Sequence, residues 1–283
     1  MVNLNLAYPN VSDITFKTVQ FPDGQQDIVL QTWPTPDQPV TVRSRMNSFK
    51  DIELIICANK ALRNLGYTEI HLSVPYFLGA RSDRKFTMGG NNYLKDVVCP
   101  VINLQKFATV TTMDPHSDVV EACTDNFRKI NNVELVKWAL TDIDNTFTAH
   151  DKVVIVSPDS GAVKKGYHVA KRVGYTREII TAAKVRNVTT GQILYTSVPM
   201  EHEYAQDSKF VMIDDICDTG RTFTEVVKVI KQKYPDAKQY LIVTHGVFST
   251  GFEELAKHFD YIYTTNSIAD VTGFDFIKQM NVY

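Results

Sequence analysis

The sequence predicts an α/β protein of two domains, each with a mainly parallel sheet flanked by helices. Three observations carry this reading. Short β-branched or apolar runs alternate, in both halves of the chain, with stretches whose apolar residues recur at helical spacing. Polar turns rich in Gly, Asp, Ser and Thr follow the strand-like runs at their C-terminal ends, where open parallel sheets bind ligands. The 283 residues, 44% of them hydrophobic, suffice for two domains of about 140 residues with a core each.

Taken in order, Ile14 to Thr32 reads as a hairpin, with FPDGQ (Phe21 to Gln25) between its strands and Pro22, Asp23 and Gly24 supplying the turn. The proline-rich run Trp33 to Pro39 is an irregular connection, and VRSRMNSFKD (Val42 to Asp51) receives no element. Asp51 to Leu65 is a helix that turns Ile52, Ile55, Ile56, Ala58 and Leu62 inward and stops at Gly66. A strand at Ile70 to Pro75 leads into PYFLGARSDRKF, then come a helix near Asn91 to Ile102 and a strand at Phe107 to Thr112 that ends in MDPHS. After a helix near Val133 to Leu140, the polar segment Thr141 to Asp151 places a boundary that divides the chain into domains 1–145 and 146–283.

The second half repeats the rhythm. Val153 to Val156 is a strand, SPDSGAVKKG a turn, Val163 to Val173 a helix, and Ile179 to Val188 a strand or arm followed by a hairpin. Phe210 to Ile213 is a buried strand, with a helix from Phe223 to Tyr234 that directs Phe223, Val226, Val227 and Ile230 inward. Leu241 to Thr244, a helix at Phe252 to His258 and a last strand at Tyr261 to Thr264 complete the chain.

Composition removes several function classes. A net charge of −2 does not suit a general nucleic-acid or membrane-surface binder. Cys57, Cys99, Cys123 and Cys217 are widely spaced without a CxxC pair, which fits neither a zinc site nor a disulfide framework and suits a reducing cytoplasm. No basic-then-apolar leader and no membrane-length apolar run is present, so a soluble, cytoplasmic protein is expected.

The chemistry concentrates in FVMIDDICDTGRT (Phe210 to Thr222). A strand, a short loop and a helix start leave backbone N–H groups of the first helical turn pointing outward, so Thr219, Gly220, Arg221 and Thr222 can wrap a phosphate. Asp214 and Asp215 repel phosphate and suit ribose hydroxyls or a hydrated magnesium ion. A turn capped by Asp218 or Thr219 would explain one acidic residue, not the whole stretch. Elsewhere, Arg81, Arg84 and Lys85 gather positive charge after a strand, beside Tyr76 and Phe77, which suit a nucleotide base. His116 follows a strand next to Asp114, a setting for a metal-bound phosphate. Seven Lys or Arg residues stand between Lys164 and Arg186 against the single Glu178. A solvated helix face accounts for Lys164, Lys165, Lys171 and Arg172, whereas a polyphosphate site is the better role for Lys184 and Arg186.

The Phe210 to Thr222 stretch resembles the phosphoribosyl diphosphate (PRPP) binding loop shared by type I phosphoribosyltransferases and PRPP synthetases. Five stretches, FPDGQ, PYFLGARSDRK, TTMDPHS, VSPDSGAVKKG and IDDICDTGRT, together with THGVFSTG and TTNS, are similar to the PRPP synthetase (ribose-phosphate diphosphokinase) family in that family's own order. The resemblance implies two phosphoribosyltransferase-like domains and an ATP-dependent diphosphotransferase. Its reaction would move the β,γ-diphosphoryl group of ATP to the 1-hydroxyl of ribose 5-phosphate, giving PRPP and AMP.

By the same resemblance Phe21, Asp23, Gln25, Arg81, Ser82 and His116 bind ATP, the hairpin residues doing so for a neighbouring subunit, so a homo-oligomer is implied. His116 and Asp159 support Mg2+, Asp214 and Asp215 hold ribose, and Asp218, Thr219, Gly220, Arg221 and Thr222 cradle the 5-phosphate. Lys184, Arg186 and His116 are the expected catalytic groups. The sequence departs from the family at Gln25, where the family has Glu, at Ser82, where it has Gln, and at Arg221, where it has Gly. Arg221 opens a second reading, the same transfer to a 5-substituted ribose such as ADP-ribose, whose extra phosphate would meet the guanidinium. A third reading is a non-catalytic regulatory subunit of a synthetase complex.

Overall fold

A computed structural model describes residues 1–147, 152–186 and 193–283, with backbone alone at 184–186, 193 and 194. The chain forms two compact units, Met1–Asn131 with Val282–Tyr283, and Asn132–Asn281.

In the first unit a five-stranded parallel sheet has the order β1 (Val2–Asn5), β4 (Val40–Arg43), β5 (Ile70–Ser73), β6 (Thr109–Met113), β7 (Phe127–Ile130). The hairpin stands apart as β2 (Thr15–Gln20) and β3 (Gln26–Thr32), closed by a turn in which Gly24 adopts φ 96°. Helix α1 (Phe49–Asn64) starts two residues earlier than its periodicity suggested, because Ser48 and Asp51 form a reciprocal capping box. Its Ile52, Ile55, Ala58 and Leu62 enter the core with Leu4, Val42 and Leu72, while Ile56 is only partly buried. Helices α2 (Cys99–Asn103) and α3 (Val119–Cys123) are short, and a π-helical turn at Leu94–Val98 precedes α2.

The second unit contains a six-stranded parallel sheet in the order β15 (Ile277–Met280), β14 (Tyr261–Thr265), β13 (Lys238–Gly246), β12 (Lys209–Cys217), β8 (Val153–Ser157), β9 (Ile180–Thr181). Strands β10 (Ala183–Arg186) and β11 (Ile193–Ser197) form a separate antiparallel ribbon. Side-chain alternation along β12 divides the core. Phe210 and Met212 face α6 (Arg221–Lys233) through Phe223, Val226, Val227 and Ile230. Val211 and Ile213 face α4 (Val133–Ile143) and α5 (Val163–Arg172) through Leu135, Val136, Leu140 and Val169. The sheet is therefore covered on both sides, as parallel sheets require. The strand at Tyr261 is not the last, since β15 adds a parallel edge beyond it. Among the described residues no helix is long and apolar enough to cross a membrane.

The division between units falls before α4, whereas the polar segment Thr141 to Asp151 had suggested a boundary after it. The reason is packing: Leu135, Val136, Ala139, Leu140 and Ile143 are buried against the second sheet. A charged latch reinforces the attachment. Lys209 Nζ donates to Ile143 O at 2.8 Å and to Asp144 Oδ2 at 3.1 Å, while Asp144 Oδ1 accepts from the Thr146 hydroxyl at 2.6 Å and its N–H at 3.0 Å. The Thr146 hydroxyl, with the Thr146 N–H and Lys209, outweighs desolvation and holds the Asp144 carboxyl down at about 2. Its folded pKa lies below the unfolded value, so its stabilisation is complete above about pH 4 and is lost as pH falls toward the folded value. Asp144→Asn is expected to cost roughly 1–2 kcal/mol near neutral pH, with a gap from wild type that closes on acidification. Urea unfolding across that range measures it, and a gap that ignores pH would remove the carboxylate charge as its cause.

Candidate functional site

Strands β12 and β8 are neighbours, yet β9 lies on one side of them and β13, β14 and β15 on the other. The order reverses between β8 and β12, and such a switch point opens a crevice beyond the strand C-termini. The loops leaving these two strands carry the acidic and glycine-bearing residues singled out in the sequence.

Strand β12 is longer than the apolar run Phe210 to Ile213, since it continues through Asp214, Asp215 and Ile216 to Cys217. Both carboxylates thus sit on ordered strand, not on the loop. The Asp215 N–H donates to Asp214 Oδ1 at 2.9 Å, which folds the Asp214 side chain back along its own backbone. Burial first, then the charge of Asp215 and, further down, that of Asp159, push the Asp214 carboxyl well above the usual carboxylate range. Asp215 is buried and receives Lys165 Nζ from α5 at 3.0 Å. Lys165 therefore does not belong to a solvated face, although Lys164 beside it is exposed.

The loop Asp218 to Gly220 is held from below. Val247 and Phe248 donate their N–H groups to Cys217 O at 2.8 and 3.3 Å, and the Ser249 hydroxyl donates to Asp218 Oδ1. Phe248 adopts φ 47° to do this. Gly220 is the N-cap of α6 at φ 78° and offers no side-chain cap, while the Thr219 hydroxyl accepts from the Arg221 N–H at 3.5 Å, a long contact. A Cβ on Gly220 would lie 2.4 Å from Leu255 Cδ2, on α7 (Glu253–Ala256). In the first turn of α6 the Phe223 N–H donates to Gly220 O at 3.0 Å, and Arg221 is exposed at this positive helix end. On the β8 side, Asp159 Oδ1 accepts from the N–H groups of Gly161 and Ala162 at 3.0 and 3.2 Å, and Ser157 Oγ donates to Asp159 O at 2.9 Å. Asp159, Asp214, Asp215 and Asp218 to Thr222 thus share one end of one sheet.

The first unit holds the other predicted residues. Phe21, 44% exposed, Asp23 and Gln25 occupy the hairpin tip, where Asp23 Oδ1 accepts from Gln25 N at 3.2 Å. Arg81 is exposed after β5, and Ser82 is fixed by its backbone, donating to Gly79 O at 2.7 Å and accepting from Leu94 N at 3.1 Å. Phe77 is 2% exposed and packs into the core, so it does not serve as a platform for a base; Tyr76 is half-buried. Arg84 instead lies over the Phe86 ring, 5.4 Å from its centroid. His116 is exposed beyond β6, after Asp114, which is buried at φ 40° and anchored by its N–H to Ile130 O at 2.8 Å. A left-handed aspartate at a strand end is an uncommon conformation that cores tolerate where a turn must be fixed.

His116 and Asp159 belong to different units, and among the described residues no group of three or more His, Cys, Asp or Glu forms a metal cage. Magnesium does not demand one, because it keeps several waters and takes substrate phosphate oxygens. Crowded carboxylate oxygens at Asp159, Asp214 and Asp215 have the hard-donor chemistry that suits it. Lys184 and Arg186 lie on β10, and their side chains are outside the described residues. Sequence reasoning missed Lys165, Ser249 and Leu255 as supports of the loop; no local pattern signals contacts this distant in the chain.

A crevice at a sheet switch point, with a carboxylate pair on one strand end and a glycine-started helix beside it, defines a class. The chain belongs to the phosphoribosyl transferase domain family, whose model matches residues 125–275. Within that class its relatives include a ribose-phosphate pyrophosphokinase from Marinomonas sp., 29% identical over 198 residues that cover 70% of this chain and 59% of the relative. Another, from Thermosipho africanus, is 28% identical over 221 residues, 77% of this chain and 66% of the relative. The chain therefore spans somewhat under two thirds of the length of these relatives. The crystal structure of phosphoribosylpyrophosphate synthetase from Mycobacterium smegmatis superposes with a TM-score of 0.78 at 18% identity, covering 96% of this chain and 88% of that one. The fold, with phosphoribosyltransferase-like sheets, is shared.

Gly220→Ala is expected to lower stability by about 1–3 kcal/mol, through both the positive φ and the Leu255 contact. Repeating it in a Leu255→Ala background should recover the steric part only. Thermal unfolding of the double cycle measures both, and a full recovery would leave no cost for the backbone conformation.

Proposed function

We propose that the protein transfers the β,γ-diphosphoryl group of ATP to the 1-hydroxyl of ribose 5-phosphate, producing PRPP and AMP. The observation that carries this reading is the β12–α6 crevice, where Asp214 and Asp215 stand one loop away from the α6 N-terminus. Paired acceptors suit a sugar diol, and the positive end of a helix with the exposed Arg221 suits a phosphate at the other end of the same sugar. The order of the remaining motifs along the chain supports the ATP side.

In this reading the 5-phosphate rests on Asp218 to Thr222 and the ribose 2- and 3-hydroxyls donate to Asp214 and Asp215. That leaves the anomeric hydroxyl directed away from the loop. Its oxygen attacks the β-phosphorus in line, a P–O bond to that oxygen forms, the bond between the β-phosphorus and the α,β-bridging oxygen breaks, and AMP departs with that oxygen. The hydroxyl proton is released to solvent. No covalent nucleophile is required, because such transfers depend on positioning and on stabilising charge. Arg81 and His116 contact the ATP phosphates, and Phe21, Asp23 and Gln25 on the exposed hairpin tip hold adenine for a neighbouring subunit in a homo-oligomer. Magnesium, carried by His116 and Asp159 with phosphate oxygens, would supply charge neutralisation of the triphosphate. Lys184 and Arg186 neutralise the charge that grows on the β-phosphate and on AMP. Four free cysteines suit a reducing, cytoplasmic setting.

Arg221, exposed at the first residue of α6, favours one alternative acceptor, a ribose with a further phosphate at its 5 end such as ADP-ribose. The decisive experiment measures AMP release from ATP and magnesium with ribose 5-phosphate and, separately, with ADP-ribose, identifying the sugar product by mass. Turnover of ribose 5-phosphate is expected. Preference for ADP-ribose would reassign the acceptor, and no AMP with either would point to a regulatory subunit. Lys184→Ala and Arg186→Ala are each expected to lower kcat by about 10²-fold or more with a smaller change in KM. Equal losses in binding and turnover would remove these residues from the transition state.

A further inference from the structure

We propose that Lys165 is a positioning residue for the sugar: its ammonium, in the first turn of α5, fixes the Asp215 carboxylate in the orientation that receives the furanose diol. The proposal rests on the reading of Asp214 and Asp215 as ribose acceptors.

The geometry carries it. Lys165 Nζ lies 3.0 Å from Asp215 Oδ2, with the lysine side chain 32% exposed and the aspartate side chain 6% exposed. An exposed ion pair contributes little. Here one partner is buried, so removing the cation would take a charge-assisted contact from a carboxylate in a site that already holds neighbouring acids. The two acids are also treated differently. Asp214 is folded back to accept the Asp215 N–H, whereas Asp215 is drawn toward α5. Asp215 is thus the member of the pair that Lys165 holds.

The helix makes this contact possible. Asp159 holds the turn into α5 by accepting from Gly161 and Ala162, and Gly166 and Val169 lie buried on the same helix. Lys165 is therefore carried on a packed element and not on a loop. Lys164, one residue earlier, points to solvent and supplies the internal control.

Lys165→Met retains the aliphatic stem and removes the charge. In AMP-release assays it is expected to raise the KM for ribose 5-phosphate about 10-fold or more, the scale of a lost charge-assisted contact to a buried carboxylate, while the KM for ATP stays near wild type. Lys165→Arg should restore most of the loss, and Lys164→Ala should behave as wild type. The inference is overturned if Lys165→Met leaves the ribose 5-phosphate KM within about twofold. It is also overturned if both substrate KM values rise together, or if arginine fails to rescue. Should wild type release no AMP, the activity reading fails on its own. Calorimetric titration with ribose 5-phosphate then decides the inference: weaker binding to Lys165→Met than to wild type and to Lys165→Arg supports it, and equal binding or none to wild type ends it.

Discussion

Two carboxylates on consecutive residues at the end of a buried strand are the constraint around which the second unit is arranged. Left alone, Asp214 and Asp215 would repel each other in a poorly solvated place. Several elements share the task of keeping them there: the Asp215 N–H turned onto Asp214, Lys165 reaching in from α5, and a strand long enough to hold both residues in sheet geometry. Burial, with the charge of Asp215, then pushes the Asp214 carboxyl well above the usual carboxylate range. Such a pair is suited to neutral hydroxyls, which both donate and accept, more than to another anion.

Sheet topology decides what stands next to that pair. Because the order reverses between β8 and β12, the loops that leave these strands diverge to opposite faces and leave a crevice. One wall starts α5 and is fixed through Asp159; the other starts α6 and is fixed through Gly220. The covered faces of the sheet, one against α6 and the other against α4 and α5, leave the strand ends as the open surface of this unit. A polar ligand is therefore admitted at the edge of the core without interrupting it.

Much of this was legible in the sequence, and the parts that were not share physical causes. The unbroken apolar run Phe210 to Ile213 and the period of Phe223, Val226, Val227 and Ile230 announced β12 and α6, because the strand is buried on both faces and the helix on one. Strands β1, β4, β7 and β15 escaped: each has only four residues, and β7 and β15 carry no fully buried one. The apolar stripe of α4 showed that the helix is buried but not which sheet buries it, and its allegiance to the second unit came from packing. Phe77 looked like a base platform because it neighbours arginines in sequence, yet the loop after β5 buries it in the core of the first unit. Lys165 read as one more solvent-facing lysine, since its partner is fifty positions further along the chain.

The contact between Gly220 and Leu255 makes the loop's history one-sided. Position 255 can shrink, at the cost of a void beneath the loop, and the turn can still form. Position 220 has no comparable freedom: any side chain there meets Leu255 and a left-handed backbone at once, and trimming the leucine relieves only the first. Sequence drift at this corner is thereby allowed on the supporting helix and blocked at the glycine of the loop itself.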